Sequence, residues 1–343
     1  MRKFFSDILG NEKTKASIGK SIIDAKLSHA YIIEGPEGSG KKMLAYRIAA
    51  ALNCENKTNE NCALPCMQCE SCRKILSDNS PDVYHLKREE DKATINLPAI
   101  REMRSDIFLS ASESEYKVYI IHEAHLLNDA SQNALLKVLE EPPEKVVMLL
   151  LCNATDKILT TVKSRAQIIR TSLFTFDEMK DFLIGSNNAA ASLYEQSKEK
   201  FFIAIKGSQG SIGKALDLIS PKEMSGIIKK RDIVDKIIRA IEEKSNFVAF
   251  HSAISAFSQK RLQLIDELTL LFSAVRDLIL LKRSEDVPLI YYYDTDEAIR
   301  ISEKIGMNRL YEISDSVFKA ISNLGQSSNV SLTLNTLLNE LKK

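Results

Sequence analysis

Ser28–Lys42, SHAYIIEGPEGSGKK, reads as a short apolar strand that runs directly into a glycine-rich loop. Tyr31, Ile32 and Ile33 supply the buried-strand signal, and Met43–Leu52 has the composition of the helix that follows. Gly35, Gly38, Gly40 and Lys41 stand at the spacing of a phosphate-binding loop. In such a loop the glycines let backbone N–H groups wrap the phosphates, and the lysine reaches the terminal ones. The next position calls for a serine or threonine hydroxyl to hold magnesium, and here it is Lys42. A lysine offers no neutral oxygen to a metal and adds a second cation where the metal belongs. The stretch therefore predicts the architecture of a nucleotide site without its magnesium chemistry.

Outward from the loop, strand and helix signals alternate. A lead-in helix is expected within residues 1–27, with Ile18, Ile22, Ile23 and Leu27 at helical spacing. Strand-like pieces are expected at 82–86, 93–97, 117–122, 146–151 and 166–171, with helices at 98–108 and 129–141, the latter ended by Pro142-Pro143. Continuous apolar runs such as KVYIIH suit strands covered on both faces, so the pattern predicts a mostly parallel α/β sheet over residues 1 to about 172. The character changes at Leu173. Helical segments broken by glycine and serine at 207–213 suggest a small helical domain over 173–220. From Pro221 to the end every segment is long and helical, which predicts an all-α bundle over 221–343.

The second half of a nucleotide site is an acidic pair at the end of a central strand. The matching stretch, Tyr119–His125, places His122 where the first acid belongs and keeps Glu123. A histidine cannot replace a carboxylate charge, and HEAH lacks the spacing of a helical zinc motif. Five of the six cysteines lie within Cys54–Cys72, too tightly grouped for a secreted disulfide framework. Cys66, Cys69 and Cys72 put three thiolates in a seven-residue span, as one face of a tetrahedral zinc requires. Either Cys54 or Cys62 is the fourth ligand, and Cys54 is favoured because it ends the loop helix. No ligand position is left for water, so the zinc is expected to be structural. Cys152, in an apolar strand, reads as core.

Lysine and arginine total 47 against 46 acids, a net charge of +1, which gives no case for coating nucleic acid by bulk charge alone and leaves a local basic patch open. No apolar run approaches a membrane span and the start lacks a signal-peptide core, so a soluble cytoplasmic protein is expected. Arg165, after Ser164 and just before the last strand, is an ordinary surface charge in a monomer. In an oligomer it could reach the γ-phosphate bound by the next subunit.

Taken together, SHAYIIEGPEGSGKK, the Cys54/66/69/72 insert, HEAHLLNDASQNALLKVLEEPP (122–143), TTVKSRAQ (160–167) and NVSLTLNTLLNEL (329–341) resemble the clamp-loader subunits of bacterial DNA polymerase III, within the AAA+ class. The resemblance covers nearly the whole chain. It implies a RecA-like domain over 1–172 carrying a zinc module at 54–72, a helical lid over 173–220 and a helical collar for oligomerisation over 221–343. The family's motor subunits, tau and gamma, end the loop in Lys-Thr and keep an Asp-Glu pair. This chain is similar instead to the non-motor, stator type, which fits its length as well. The resemblance implies an arginine finger, Ser164-Arg165, offered in trans. Ala166 departs from the usual cysteine after that arginine, and three extra residues lengthen the Cys54–Cys66 spacing. The implied partners are the tau/gamma subunits, the delta subunit, the sliding clamp and primer–template DNA, with no membrane. ATP binding is not expected. Two rivals remain. An active tau/gamma-like ATPase must tolerate Lys42 and His122. A stand-alone zinc-containing nucleic-acid binder must manage without net positive charge or aromatics interleaved among basic residues.

Overall fold

A computed structural model describes residues 2–88, 94–95, 97–243, 247–284, 287–326 and 328–342. The first half alternates helices and strands: α1 (Glu12–Ile23), β1 (Ala30–Glu34), α2 (Lys41–Leu52), α3 (Glu70–Leu76), β2 (Val83–Leu86), α4 (Leu97–Asp106), β3 (Lys117–Ile121), α5 (Asp129–Glu140), β4 (Val146–Cys152), the single turn α6 (Thr160–Lys163) and β5 (Gln167–Arg170). The five strands form one sheet in the order β2-β3-β4-β1-β5, and every pairing is parallel. β1 lies next to the edge strand β5, with Ile32 opposite Leu150 on β4 and Ile168 on β5.

The two-residue period of the strands divides the core into two layers. Tyr31 and Ile33 face one way, onto Ile18 and Ile22 of α1 and Ile48 of α2. Ala30 and Ile32 face the other way, onto Ile100 and Met103 of α4 and Leu135 and Leu139 of α5. Both faces are covered, which is why the strands read as unbroken apolar runs rather than alternating ones. α5 starts where the Asn128 side chain accepts from the Ser131 amide at 2.8 Å, and ends before Pro142.

The remaining helices are α7 (Phe176–Ser186), α8 (Asn188–Gln196), α9 (Lys198–Gly207), α10 (Ile212–Ile219), α11 (Pro221–Glu242), α12 (Phe247–Ser255), α13 (Arg261–Leu281), α14 (Thr295–Lys304), α15 (Met307–Gly325) and α16 (Val330–Lys342). The chain forms two compact units, residues 1–182 with 210–212, and residues 183–209 with 213–343. The second unit is helical, with a core built from Ile237, Leu268, Leu271, Leu278, Leu310, Val317 and Leu338. Pro221 opens α11, where its missing N–H costs nothing. Inside this unit Asp277 is fully buried on α13. Its carboxylate accepts the Ile290 and Tyr291 amides at 2.9 and 2.7 Å and pairs with Arg276.

One expected strand, at 93–97, is not formed among the described residues. Of the 93–97 stretch, Ala93 and Asn96 lie outside the described residues, Ile95 makes a single parallel bridge to Leu127, and Leu97 already belongs to α4. Pro98 suits the first turn of a helix, and that start takes Leu97 with it. At the head of β2, Asp82 leaves the strand and instead accepts the amides of Ser112, Glu113 and Ser114 at 2.6, 2.8 and 2.7 Å.

Candidate functional site

The glycine loop lies between the end of β1 and the start of α2, at the carboxyl edge of the sheet. Gly38 and Gly40 have φ of 81° and 82°, a region that side chains with a Cβ rarely adopt. Gly35 is required for a different reason. A Cβ there would lie 2.2 Å from the Thr171 hydroxyl and 2.5 Å from its carbonyl oxygen. That hydroxyl also bonds Ser39 Oγ at 2.7 Å, which ties the loop to the chain just beyond β5.

Lys41 does not extend into open space. Its ammonium donates to the carbonyls of Gly35 and Pro36 at 2.6 and 2.8 Å and to Asn153 Oδ1 at 3.2 Å. An ammonium has three protons, and all three are taken. Lys42 turns its ammonium over the ring of Tyr46, one helical turn on, at 5.7 Å from the centroid. Burial lowers the Lys41 pKa, opposed by Cys152 and Glu37.

At the end of β3, His122 Nε2 is 3.2 Å from His85 Nδ1 on β2. His85 Nε2 is in turn 2.8 Å from Asp78 Oδ1, which also accepts the Tyr46 hydroxyl at 3.2 Å. Tyr46 stacks on His85 with centroids 5.0 Å apart. Since His85 donates to Asp78 through Nε2, its Nδ1 is left to accept from His122. Burial, then His85, Lys87 and Lys42, pushes the His122 pKa down to about 4. Burial also lowers His85, against the pull of Asp78. Both rings are neutral at pH 7. Glu123 has a left-handed backbone (φ 48°), and its carboxylate is 3.6 Å from Arg88 Nε. Magnesium needs hard oxygen ligands, and the two positions that should supply them hold an ammonium, Lys42, and an imidazole, His122, while the Asp78 carboxylate is spent on His85 and Tyr46 and that of Glu123 lies near Arg88. The residues present do not fit that ion.

The four sulfurs of Cys54, Cys66, Cys69 and Cys72 lie within 4.8 Å of one another, so these cysteines could hold a metal ion. Cys62 is not part of the group. The Cys66 and Cys72 sulfurs are 3.9 Å apart, close to the ~3.8 Å edge of a tetrahedron with Zn–S bonds of about 2.3 Å. The Cys69 amide donates to Cys66 Sγ and the Cys72 amide to Cys69 Sγ, both at 3.4 Å, as thiolate acceptors require. The bond from Cys72 holds the Cys54 pKa down to about 5, and the same bond, with burial, pushes Cys72 up. An all-sulfur set suits zinc and leaves no position for water.

Arg165 is 34% exposed and already engaged. Its Nη2 pairs with Glu140 Oε1 at the end of α5 at 2.8 Å, and its Nη1 donates to the Thr161 carbonyl at 2.9 Å and Ser164 Oγ at 3.3 Å. The guanidinium thus keeps two of its five N–H donors for another group.

Residues 10–174 match the protein family described as DNA polymerase III, delta subunit. DNA polymerase III subunit tau of Bacillus subtilis is 29% identical over 336 residues, covering 92% of this chain and 57% of the relative. Subunit gamma of Buchnera aphidicola from Acyrthosiphon pisum is 26% identical over 302 residues, covering 84% of this chain and 80% of the relative. In each of these comparisons the chain is similar to a subunit of DNA polymerase III. The gamma/tau subunit of Mycoplasma pneumoniae is 34% identical over 219 residues, 63% of this chain and 30% of the relative. This chain therefore spans 30% to 80% of the length of these relatives. A solved gamma-subunit-related protein of Thermotoga maritima is 17% identical, with a TM-score of 0.43, and covers 95% of this chain and 98% of that one. Among the described residues, no helix is long and apolar enough to cross a membrane.

The sequence reading named the loop, the His122-Glu123 pair and the thiol set. It missed Asn153, Asp78 and His85. Asn153, just past a strand that ends near the loop, carried a weak signal. Asp78 and His85 carried none, because their role depends on β2 lying beside β3.

Proposed function

We propose that this chain is a delta-prime-like, non-motor subunit of a DNA polymerase III clamp loader, in the cytoplasm. It acts as a stator beside tau/gamma and delta subunits in an assembly that loads the sliding clamp onto primer–template DNA. In this reading residues 1–172 are the RecA-like AAA+ domain, 173–220 the lid and 221–343 the oligomerising collar. Zinc on Cys54, Cys66, Cys69 and Cys72 would hold the insert's fold and take no part in a reaction. The observation that carries the proposal is the Lys41 ammonium, spent on two carbonyls of its own loop and on Asn153, together with the His122 imidazole, paired with His85, where the first acid belongs.

With its own nucleotide chemistry absent, the chain's contribution would be Arg165, offered from beside Ser164 to ATP on a motor neighbour. A guanidinium is always charged and can bridge two phosphate oxygens, stabilising charge that develops in phosphoryl transfer. Arg165→Ala in the reconstituted complex should leave assembly intact and slow DNA-stimulated ATP hydrolysis at the served site by up to roughly a hundredfold, within the range of arginine-finger effects. Unchanged hydrolysis at matched assembly would reduce Arg165 to a surface charge paired with Glu140.

A second reading, an active tau/gamma-like ATPase, is favoured by the names of the relatives above. Magnesium–ATP titration and steady-state turnover of the isolated chain separate the two. The stator reading expects no hydrolysis, and expects the double change Lys42→Thr with His122→Asp to improve nucleotide affinity. Robust turnover abolished by Lys41→Ala would establish the ATPase.

A further inference from the structure

The segment ahead of α1 docks on the cysteine insert. Arg2 donates through Nη1 to the Lys57 carbonyl at 2.7 Å and through Nη2 to the Asn56 carbonyl at 3.2 Å. Lys3 and Phe5 both pair with Leu64. The Leu64 amide donates to the Lys3 carbonyl at 3.0 Å, and the Phe5 amide donates to the Leu64 carbonyl at 2.8 Å. Between them Phe4 lays its ring on Gly19 of α1, where a Cβ would lie 2.1 Å from a ring carbon. Phe5 and Leu64 are fully buried, in the same apolar cluster as Cys54, Cys66 and Cys72. The segment is thus fixed to α1 on one side and to the insert on the other.

Its docking points fall beside the thiols. Asn56 and Lys57 come just after Cys54, and Leu64 comes just before Cys66. Regular structure already places the other two ligands, since Cys69 is the N-cap of α3 and Cys72 lies in its first turn. Residues 55–65, between Cys54 and Cys66, form neither helix nor named strand. What holds both ends of that stretch is the 2–5 segment, through Arg2 at one end and the Leu64 pairing at the other. A further bond reaches a ligand directly: Asn56 Nδ2 donates to Cys66 Sγ at 3.5 Å. The same Asn56 gives its carbonyl to Arg2, so the guanidinium steadies the residue that steadies the sulfur.

We propose that the 2–5 segment is part of the metal module. Arg2 and Asn56 are positioning residues for Cys54 and Cys66, and metal occupancy and docking of the segment stabilise each other. The proposal rests on zinc binding by the four cysteines and not on the stator reading. By linkage, whatever factor the docked segment adds to zinc affinity, zinc adds to docking.

The test uses the full-length chain loaded with zinc and titrated with a chromogenic chelator. Wild type is compared with Arg2→Ala, Arg2→Lys, Asn56→Ala and Asn56→Asp, with metal content and thermal melts measured for each. Arg2→Ala and Asn56→Ala should hold zinc about tenfold more weakly, the low end of what losing a partner outside the ligand set costs. Arg2→Lys should recover part of the loss, because an ammonium still donates to carbonyls. Asn56→Asp keeps the size but sets a carboxylate beside a thiolate, so it should bind most weakly. In the cobalt-loaded chain the Asn56 variants should shift the sulfur-to-metal charge-transfer band, which a change in overall stability would not move. Hydrogen exchange at the Phe5 and Leu64 amides should quicken about tenfold on chelation, the reciprocal of the affinity loss. Variants with wild-type affinity and spectrum overturn the proposal, as does exchange at Phe5 and Leu64 that is indifferent to the metal. Either result leaves zinc binding by the cysteines standing. A wild-type chain that takes up no zinc overturns both.

Discussion

Truncating the loop lysine tests whether the nucleotide-type loop is closed upon itself. In an ATP-binding loop the lysine is reserved for phosphate. Removing it then costs the folded protein nothing, and relieves repulsion from a neighbouring cation such as Lys42. Here Lys41 satisfies the carbonyls of Gly35 and Pro36 and the side chain of Asn153. Hydrogen bonds with a charged partner contribute about 1.5–3 kcal/mol each when shielded from water. The Pro36 and Asn153 bonds are exposed and the Gly35 bond is only partly buried, so water replaces much of what is lost. A net destabilisation of about 1–2 kcal/mol for Lys41→Ala is the consistent figure after that discount. For a unit of this size the change corresponds to a melting shift of roughly 2–8 °C downward. Urea and thermal unfolding of wild type and Lys41→Ala, each with and without magnesium–ATP, measure it. The expected result is lower stability for the variant and no nucleotide-dependent stabilisation of either protein. The opposite pattern would falsify the closed-loop account: a variant as stable as wild type or more so, with nucleotide stabilising only the wild type.

Two further perturbations address other parts of the same unit. Folded His122 titrates near 4 and an unfolded histidine near 6.5, so the unfolded chain binds the proton first as pH falls. Stability should therefore drop between pH 6.5 and 4, by at most about 3 kcal/mol from this group, and level off below. His122→Asn should flatten that part of the stability–pH curve, and an unchanged slope would place the drop elsewhere. In the insert, metal analysis should find one zinc per chain, lost in Cys54→Ser and retained in Cys62→Ser. Chelation should lower the melting temperature, because thiolates gathered this closely repel one another once the metal is gone. Zinc retained in Cys54→Ser but lost in Cys62→Ser would transfer the fourth ligand to Cys62.

The features that the sequence determined by itself are those written in neighbouring residues. SHAYIIEGPEGSGKK specifies strand, loop and helix because apolar period, glycine spacing and helix propensity act within a few residues. The unbroken apolar runs at Lys117–Ile121 and Val146–Cys152 announce strands buried on both faces, and the sheet is parallel as they imply. Lys42 and His122, standing where a hydroxyl and a carboxylate were expected, are likewise read from neighbouring residues alone. The stretch at 93–97, Ala-Thr-Ile-Asn-Leu, alternates apolar and polar residues over only five positions, which fits a short strand as well as the approach to a helix, and among its described residues only the Ile95 bridge is seen.

Tertiary structure decided everything that requires distant segments to meet. Spacing left Cys54 and Cys62 both open, and only the course of the chain after α2 brings Cys54 to the other three sulfurs. His85 and Asp78 acquire meaning because β2 pairs with β3 in a register that sets His85 beside His122. Glu140 and Arg165 are 25 positions apart and meet because α5 packs near the turn before β5. The closure of Lys41 onto Asn153 joins residues 112 positions apart across adjacent parallel strands. Each of these depends on strand register and helix placement, which the packing of the whole core selects and no local pattern encodes.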